Sequence, residues 1–201
     1  MIDTAAADGA QTKGERTRQR LLELAIERFG AKGYRATSVS EIARAAELTQ
    51  AAVYAYFPNK EALFDAAVDA DAAAAIGTAT ERCRDVPAAQ LAPLLLALLI
   101  GGLAEHPLAL RVLEGQEPEA LQRLINLPAL ADLTELLRRR VAEAQAAGEV
   151  RADVDPAIYA DGAETLILAL LMAVSQIGAT TESRRQLGVV SIFDLALRPP
   201  T

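Results

Sequence analysis

Between Thr37 and Lys60 the chain signals three helix starts in close succession, and no other feature restricts its fold as tightly. Ser38, with Glu41 three residues on, has the pattern of a capping box, in which hydroxyl and carboxylate each satisfy a backbone N–H at a helix start. The segment it opens, 39–46, puts Val39, Ile42, Ala43 and Ala46 on one face at helical spacing. Thr49 caps a second short helix from Gln50 to about Tyr56, which Pro58 prevents from continuing. Asn59 caps a longer one through Lys60, Leu63, Phe64, Ala67 and Val68, running on into the Ala-rich stretch 72–76. A three-residue turn, Glu47-Leu48-Thr49, separates the two short helices, and Ala43, Leu48 and Val53 are spaced to pack them together. Those are the physical requirements of a helix-turn-helix. Three short helices that merely pack meet the same pattern.

Elsewhere the punctuation is also helical. Leu21, Leu22, Ala25, Ile26 and Phe29 recur at spacings of three and four, predicting a helix from Thr17 to Gly33. Pro87 and Pro93 mark the start of an apolar helix ending near Gly101 and Gly102, and Pro107 opens a short one over 106–114. A polar stretch, Glu114 to Glu119, leads toward a helix over 128–147 that Gly148 closes. Asp155-Pro156 begins another, ending near Gly178, and the last runs from about Glu182 to Leu197. Composition agrees: 52% of residues are hydrophobic but only 4% aromatic, and the excess is Ala and Leu, which lose little on entering a helix. No run of Val, Ile or aromatic residues alternates. The expectation is an all-α chain of about nine helices, with residues 1–12 a disordered arm, 13–58 a three-helix helix-turn-helix domain, and 59–201 a helical bundle in which 59–76 is the connecting helix.

The formal charge of −7 divides unevenly. Residues 11–60 hold nine Lys and Arg against five acids, whereas 61–201 hold eleven against twenty. A basic segment joined to an acidic one can present the first to phosphate and keep the second away. Cys83 is the only cysteine, so no intrachain disulfide forms, which suits a reducing cytoplasm. Its neighbours Arg82 and Arg84 make it a candidate for a lowered thiol pKa and oxidant sensing, but no second cysteine is present to resolve a sulfenic acid. The N-terminus lacks the pattern of a signal peptide. The stretch Ala88–Ala104 is interrupted by Gln90, Pro93, Gly101 and Gly102 and is read as a buried helix, so no membrane partner is expected. One His and one Cys make no metal set; no metal and no cofactor are expected. No phosphate loop or Ser–His–Asp arrangement can be assembled, so no catalytic residue is assigned. Arg138-Arg139-Arg140 is flanked by Glu135 and Glu143 and reads as a solvated, salt-bridged face.

The stretches TRQRLLELAIERFGAKGY (17–34), TSVSEIARAAELT (37–49) and AAVYAYFPNKEALFDA (51–66) resemble the N-terminal domain of the tetracycline-repressor (TetR) family over about fifty continuous residues. The resemblance implies a homodimeric regulator that binds double-stranded DNA at a palindromic operator and releases it on binding a small molecule. It carries DNA contacts onto Ser38, Thr49, Gln50, Ala51, Ala52, Tyr54, Tyr56 and Lys60. Gln50 is the candidate base reader, since its amide can bond adenine bidentately, and Ala52 can meet a thymine methyl. Thr49, Tyr54, Tyr56 and Lys60 are expected at phosphates, while Val53 and Phe57 are core. Glu47 departs from the family, which normally has Gly in this turn, and Ala51 replaces a frequent Gly or Lys.

Beyond residue 70 only the order of helices supports the resemblance. The expected ligand-lining set is Phe64, Leu98, His106, Leu110, Leu133, Leu137, Leu166 and Leu170, though His106 before Pro107 also reads as a cap. The expected dimer seam, from the last two long helices, includes Ala169, Ala173, Val189, Ile192, Phe193 and Ala196. With few aromatics available, the effector is expected to be aliphatic or lipophilic, and the site of action cytoplasmic. The open alternatives are a ligand-independent DNA-binding protein of the same fold, or a helical-bundle carrier or enzyme.

Overall fold

Helix caps place the first elements. The structure, a computed structural model, describes residues 12–177 and 183–198, and among them every regular element is helical. Helix α1 (Lys13–Ala36) begins four residues before the expected Thr17, because Thr12 and Glu15 form a capping box of the Ser38–Glu41 kind. The Thr12 hydroxyl accepts from the Glu15 N–H at 3.2 Å, and the Glu15 carboxylate accepts from the Thr12 N–H at 2.6 Å. Thr12 therefore belongs to α1 and not to an arm; the remainder of the expected arm lies outside the described residues.

Helix α2 (Val39–Ala45) packs on α1, and α3 (Gln50–Tyr54) packs on α2. Leu21, Leu22, Ala25, Phe29, Val39, Ile42, Ala43, Val53 and Phe57 close their shared core. In the turn, Leu48 N–H donates to the Ala43 carbonyl at 2.9 Å, and Glu47 takes φ 57, the left-handed region that favours glycine. Helix α4 (Lys60–Arg82) runs past the expected residue 76 and is long enough to belong to both halves. Leu63, Phe64 and Ala67 on it meet the N-terminal core, and Ala72 and Ala79 meet the C-terminal one.

Six helices follow: α5 (Ala88–Gly102, continued by a 3-10 turn at Leu103–Glu105), α6 (Pro107–Leu113), α7 (Pro118–Ile125), α8 (Pro128–Ala146), α9 (Pro156–Ile177) and α10 (Ser183–Leu197). Among the described residues ten α-helices are present, against about nine read from the sequence, and the addition is a helix that the sequence left unassigned. It is α7, inside the polar stretch, where Pro118 occupies the first helical position and its missing N–H costs nothing. The segments Ala88–Glu105 and Pro156–Ile177 are long and apolar enough to cross a membrane by length and composition. Helix α5 instead packs against α4, α8, α9 and α10, with Leu91, Ala92, Leu95, Leu96 and Leu99 buried. On α9, Tyr159, Ala160, Ala163, Ile167 and Leu171 are buried, and the rest of the helix is half-buried or exposed in the single chain.

Arg138 and Arg139 pair with Glu135 and Glu143, as the sequence pattern required. Arg140 does something else: its guanidinium donates to the Arg84 and Val86 carbonyls, tying α8 to the end of α4. Cys83 closes α4 and is buried. Burial pushes its thiol pKa up despite Arg82 and Arg140, which removes the basis for an oxidant-sensing thiolate.

The strained turn can be tested directly. Replacing Glu47 by Gly should raise unfolding stability by about 1 kcal/mol without altering the helix content. Chemical denaturation followed by circular dichroism measures both.

Candidate nucleic-acid interface

Capping hydroxyls hold the short helices in register. The Ser38 hydroxyl accepts from Glu41 N–H at 3.2 Å, and the Glu41 carboxylate accepts from Ser38 N–H and from Lys32 Nζ. Lys32, and then Ser38, hold the Glu41 carboxyl below the usual carboxylate range. Thr49 Oγ1 accepts from Ala52 N–H at 3.2 Å, and Asn59 Oδ1 from Ala62 N–H at 2.7 Å. Gln50, Ala51, Tyr54 and Ala55 are exposed, Ala52 is half-buried, and Val53 points into the core. Along this edge Gln50 Nε2 donates to Tyr54 Oη at 3.2 Å, so the amide is oriented before anything binds. Five residues with only Gln50 and Tyr54 as long outward side chains make a slender rod that a major groove can admit.

The remaining expected contacts are placed differently. Tyr56 is half-buried against the core. The Lys60 ammonium lies over the Tyr34 ring, 4.4 Å from its centroid, and must leave that ring to reach a phosphate. Ser38 and Thr49 hydroxyls are already used as caps. Of the expected set, Thr49, Gln50, Ala51 and Tyr54 are exposed, and Ser38, Ala52, Tyr56 and Lys60 are half-buried.

What positions this face is its attachment to the C-terminal helices. Phe29, Tyr34 and Phe64 form an aromatic cluster, with Phe64 edge-on to Phe29 at 5.1 Å and tilted to Tyr34 at 4.9 Å. Phe64 is therefore a junction residue and not part of a C-terminal ligand cavity. Burial, with Glu61, Asp65 and Glu119 nearby, pushes the Tyr34 phenol pKa up. Near the end of α1, Gly33 has φ 81, and a Cβ built there would fall 2.6 Å from both Arg111 Nη2 and Glu117 Oε1. That space is filled because the Glu117 carboxylate accepts from the Tyr34 N–H at 3.1 Å and from Arg111 Nη2 at 3.2 Å. Gly30 is equally tight, lying against Pro107 at the start of α6.

Helix α4 holds α6 and α7 by carboxylates. Buried Asp71 accepts from the Leu108 and Ala109 N–H groups, both at 2.9 Å, and its other oxygen lies 3.0 Å from His106 Nδ1. His106 is thus held by Asp71 at the head of α6, and the side chain that caps this helix is Asp71, not His106 as the sequence suggested. Arg123 on α7 pairs with Asp65 and Asp69. Sequence reasoning missed Asp71 and Glu117, whose partners lie 37 and 83 residues away and leave no local signal.

The other expected ligand residues do not converge on an opening. Leu133 and Leu137 are fully packed, while Leu98, Leu110, Leu166 and Leu170 are half-buried. A cleft of about 710 Å3 lies instead at the junction, lined by residues such as Tyr34, Phe64, Arg111, Glu117 and Arg123. A second, of about 680 Å3, lies between α5 and α10 beside Pro93, Leu94 and Leu195. Of the expected seam, Ala169 and Ile192 are exposed, and Ala173, Val189 and Ala196 are half-buried. Phe193 is 2% exposed and, with Leu197 one turn on, belongs to the core of its own chain.

Residues 21–67 match the model of the bacterial regulatory proteins of the tetR family. YuxN, an uncharacterized HTH-type transcriptional regulator of Bacillus subtilis, is 49% identical over 43 residues, 21% of this chain and 15% of YuxN. The chain thus matches only a small part of that relative's length. Over the whole chain, a solved structure concerned with control of antibiotic production by bacterial hormones is 26% identical. It superposes with a TM-score of 0.70 over 94% of this chain and 100% of that one. The regulator FadR of Bacillus subtilis, solved with stearoyl-CoA, is 18% identical, with a TM-score of 0.67 over 87% of this chain and 96% of FadR.

Gly33 is the position at which the junction is most exposed to test. Gly33→Ala should lower stability by about 2 kcal/mol, from the left-handed backbone together with displacement of Glu117. Gly77→Ala, where a Cβ meets nothing within 4 Å inside α4, should raise stability by roughly 1 kcal/mol. Thermal unfolding of the two variants beside the parent gives the comparison.

Proposed function

We propose that this chain, a regulator of the tetR family, represses transcription as a homodimer on a palindromic operator and leaves the DNA when a small lipophilic ligand binds its C-terminal helices. The observation that carries the first part is the exposed Gln50–Tyr54 edge of a helix-turn-helix whose other faces are packed. Gln50 reads a base edge, Tyr54 and the capped starts of α2 and α3 meet phosphates, and Lys60 swings from Tyr34 to the backbone. One such unit buries too little surface for tight binding, which calls for two copies.

The uncovered apolar surface of α9 and α10 supports pairing. Ile177, Leu187, Ile192 and Leu195 are each more than half exposed, a costly arrangement unless a second copy covers them. Two helices from each protomer make a four-helix bundle about the two-fold axis. Half-site centres then lie about one helical turn apart, roughly 34–36 Å, or a modest extension of it.

FadR's stearoyl-CoA complex supports a lipophilic effector class. The interior between α5, α8 and α9 is built from Leu, Ala and Ile, suited to an acyl chain rather than a stacking aromatic ring. Tyr159, buried there with a hydroxyl that has no partner among the described residues, offers one polar anchor. Leu96, Leu133, Leu137 and Ile167 are packed at 2% exposure or less, so a ligand must part these helices to enter. Movement of α6 would pass through Asp71 and Glu117 to α4 and α1. To empty the operator, the ligand must favour the released state by a few kcal/mol. The same packed interior favours a second reading, a ligand-independent DNA-binding protein of this fold.

Three measurements test the scheme. Lys60→Ala should weaken binding to all DNA sequences and flatten the salt dependence by about one unit, whereas Gln50→Ala should relax preference at one base pair. Even loss across every sequence in both variants would remove Gln50 from base reading. Ile192→Asp, at a position 53% exposed in the single chain, should give soluble monomers by sedimentation where the parent gives dimers. Long-chain acyl-CoA and other lipophilic compounds should dissociate the complex; a complex that none dissociates selects the ligand-independent reading.

A further inference from the structure

We propose that Lys13 and Arg16, with Arg20 beside them, form a second backbone contact that seats a DNA phosphate next to the helix-turn-helix turn. The inference rests on the DNA-binding reading and extends it to the first two turns of α1, which match no expected contact. Lys13, Arg16, Thr17 and Arg20 line one groove of about 310 Å3 with Ala46 and Leu48. Leu48 directly precedes Thr49 and Gln50, so the groove opens beside the start of the recognition helix.

Three features point to an external anion. First, all three cations are exposed, and neither Lys13 nor Arg16 has an ion pair among the described residues; Arg20 reaches only Glu23, at 3.6 Å. Most exposed arginines after residue 60 behave otherwise: Arg84, Arg123, Arg138, Arg139 and Arg198 each face a carboxylate, and Arg82 is the exception among the described residues. Second, the acid of this first turn is withdrawn, since the Glu15 carboxylate is folded back onto Thr12 N–H. Third, cations clustered where a helix begins oppose its dipole and reward the fold with nothing. Arg18 shows what a structural arginine does here: its guanidinium lies over the Phe57 ring, 5.0 Å from the centroid. Duplex phosphate supplies the missing partner. It also comes within reach only when Gln50 enters the groove, so the contact fixes how the recognition helix docks.

The test uses the full-length chain and a random-sequence DNA duplex several helical turns long, with affinity followed against salt by fluorescence anisotropy. Lys13→Gln/Arg16→Gln should flatten the plot of log K against log salt by about 0.9 for each bound protomer, the contribution of one phosphate contact. Its melting temperature should stay that of the parent. The control Arg138→Gln/Arg139→Gln, equal in charge but on α8, should leave the slope unchanged. An unchanged slope in the α1 variant, while the parent binds the duplex, overturns this contact and leaves the helix-turn-helix reading intact. An equal loss in the α8 control overturns it too, because net charge would then account for the effect. No salt-dependent binding by the parent overturns both readings together.

Discussion

The Glu117 carboxylate sits where α1, α6 and α7 meet, and the relation between the two halves of the molecule depends on it. It accepts from a backbone N–H of α1 and from the Arg111 guanidinium, with the Arg111 and Glu117 side chains 21% and 13% exposed. A charge taken this far out of water is tolerated only while its partners are in place, and removing one typically costs 3–5 kcal/mol. Gly33 makes the approach possible, since any Cβ there would occupy the carboxylate's space. The helix-turn-helix unit is therefore keyed to the C-terminal helices by polar bonds of fixed geometry as well as by the apolar contacts of Phe29, Tyr34 and Phe64. Asp71 repeats the device one layer deeper, binding the first free N–H groups of α6 from α4.

This construction explains how so short a recognition helix is held. Five residues of α3 have little intrinsic stability as a helix. Their conformation comes from the Thr49 cap, the Val53 anchor and the Leu48–Ala43 bond, and their orientation comes from α1 and α4. Charge follows the same division. Asp65, Asp69 and Asp71 of α4 are spent on Arg123, His106 and α6, while Lys13 and Arg16 at the start of α1 are exposed with no ion pair among the described residues.

The C-terminal half shows two kinds of apolar surface that composition alone does not separate. Phe193 and Leu197 sit one turn apart on α10 and fill the chain's own core, whereas Ile192 and Leu195 on the same helix stay exposed. Similarly α5 and α9 are equally apolar, yet a larger share of α5 than of α9 is buried in the single chain.

Local interactions were legible in the residues themselves. Ser38–Glu41, Thr49 and Asn59 cap helices as their spacing required, and Glu47 adopts the left-handed turn where the resembled family has glycine. Thr12–Glu15 and Glu117-Pro118 carried the same kinds of signal for α1 and α7. These features involve partners within four residues, so the chain determines them without reference to anything distant. Tertiary structure decided the rest. It set Phe64 at the junction, turned Lys60 onto Tyr34, gave His106 to Asp71, drew Phe193 inward and brought Glu117 to Tyr34 across 83 residues. An apolar or charged side chain on a helix can face several neighbours equally well by periodicity, and only the packing of all the helices selects one.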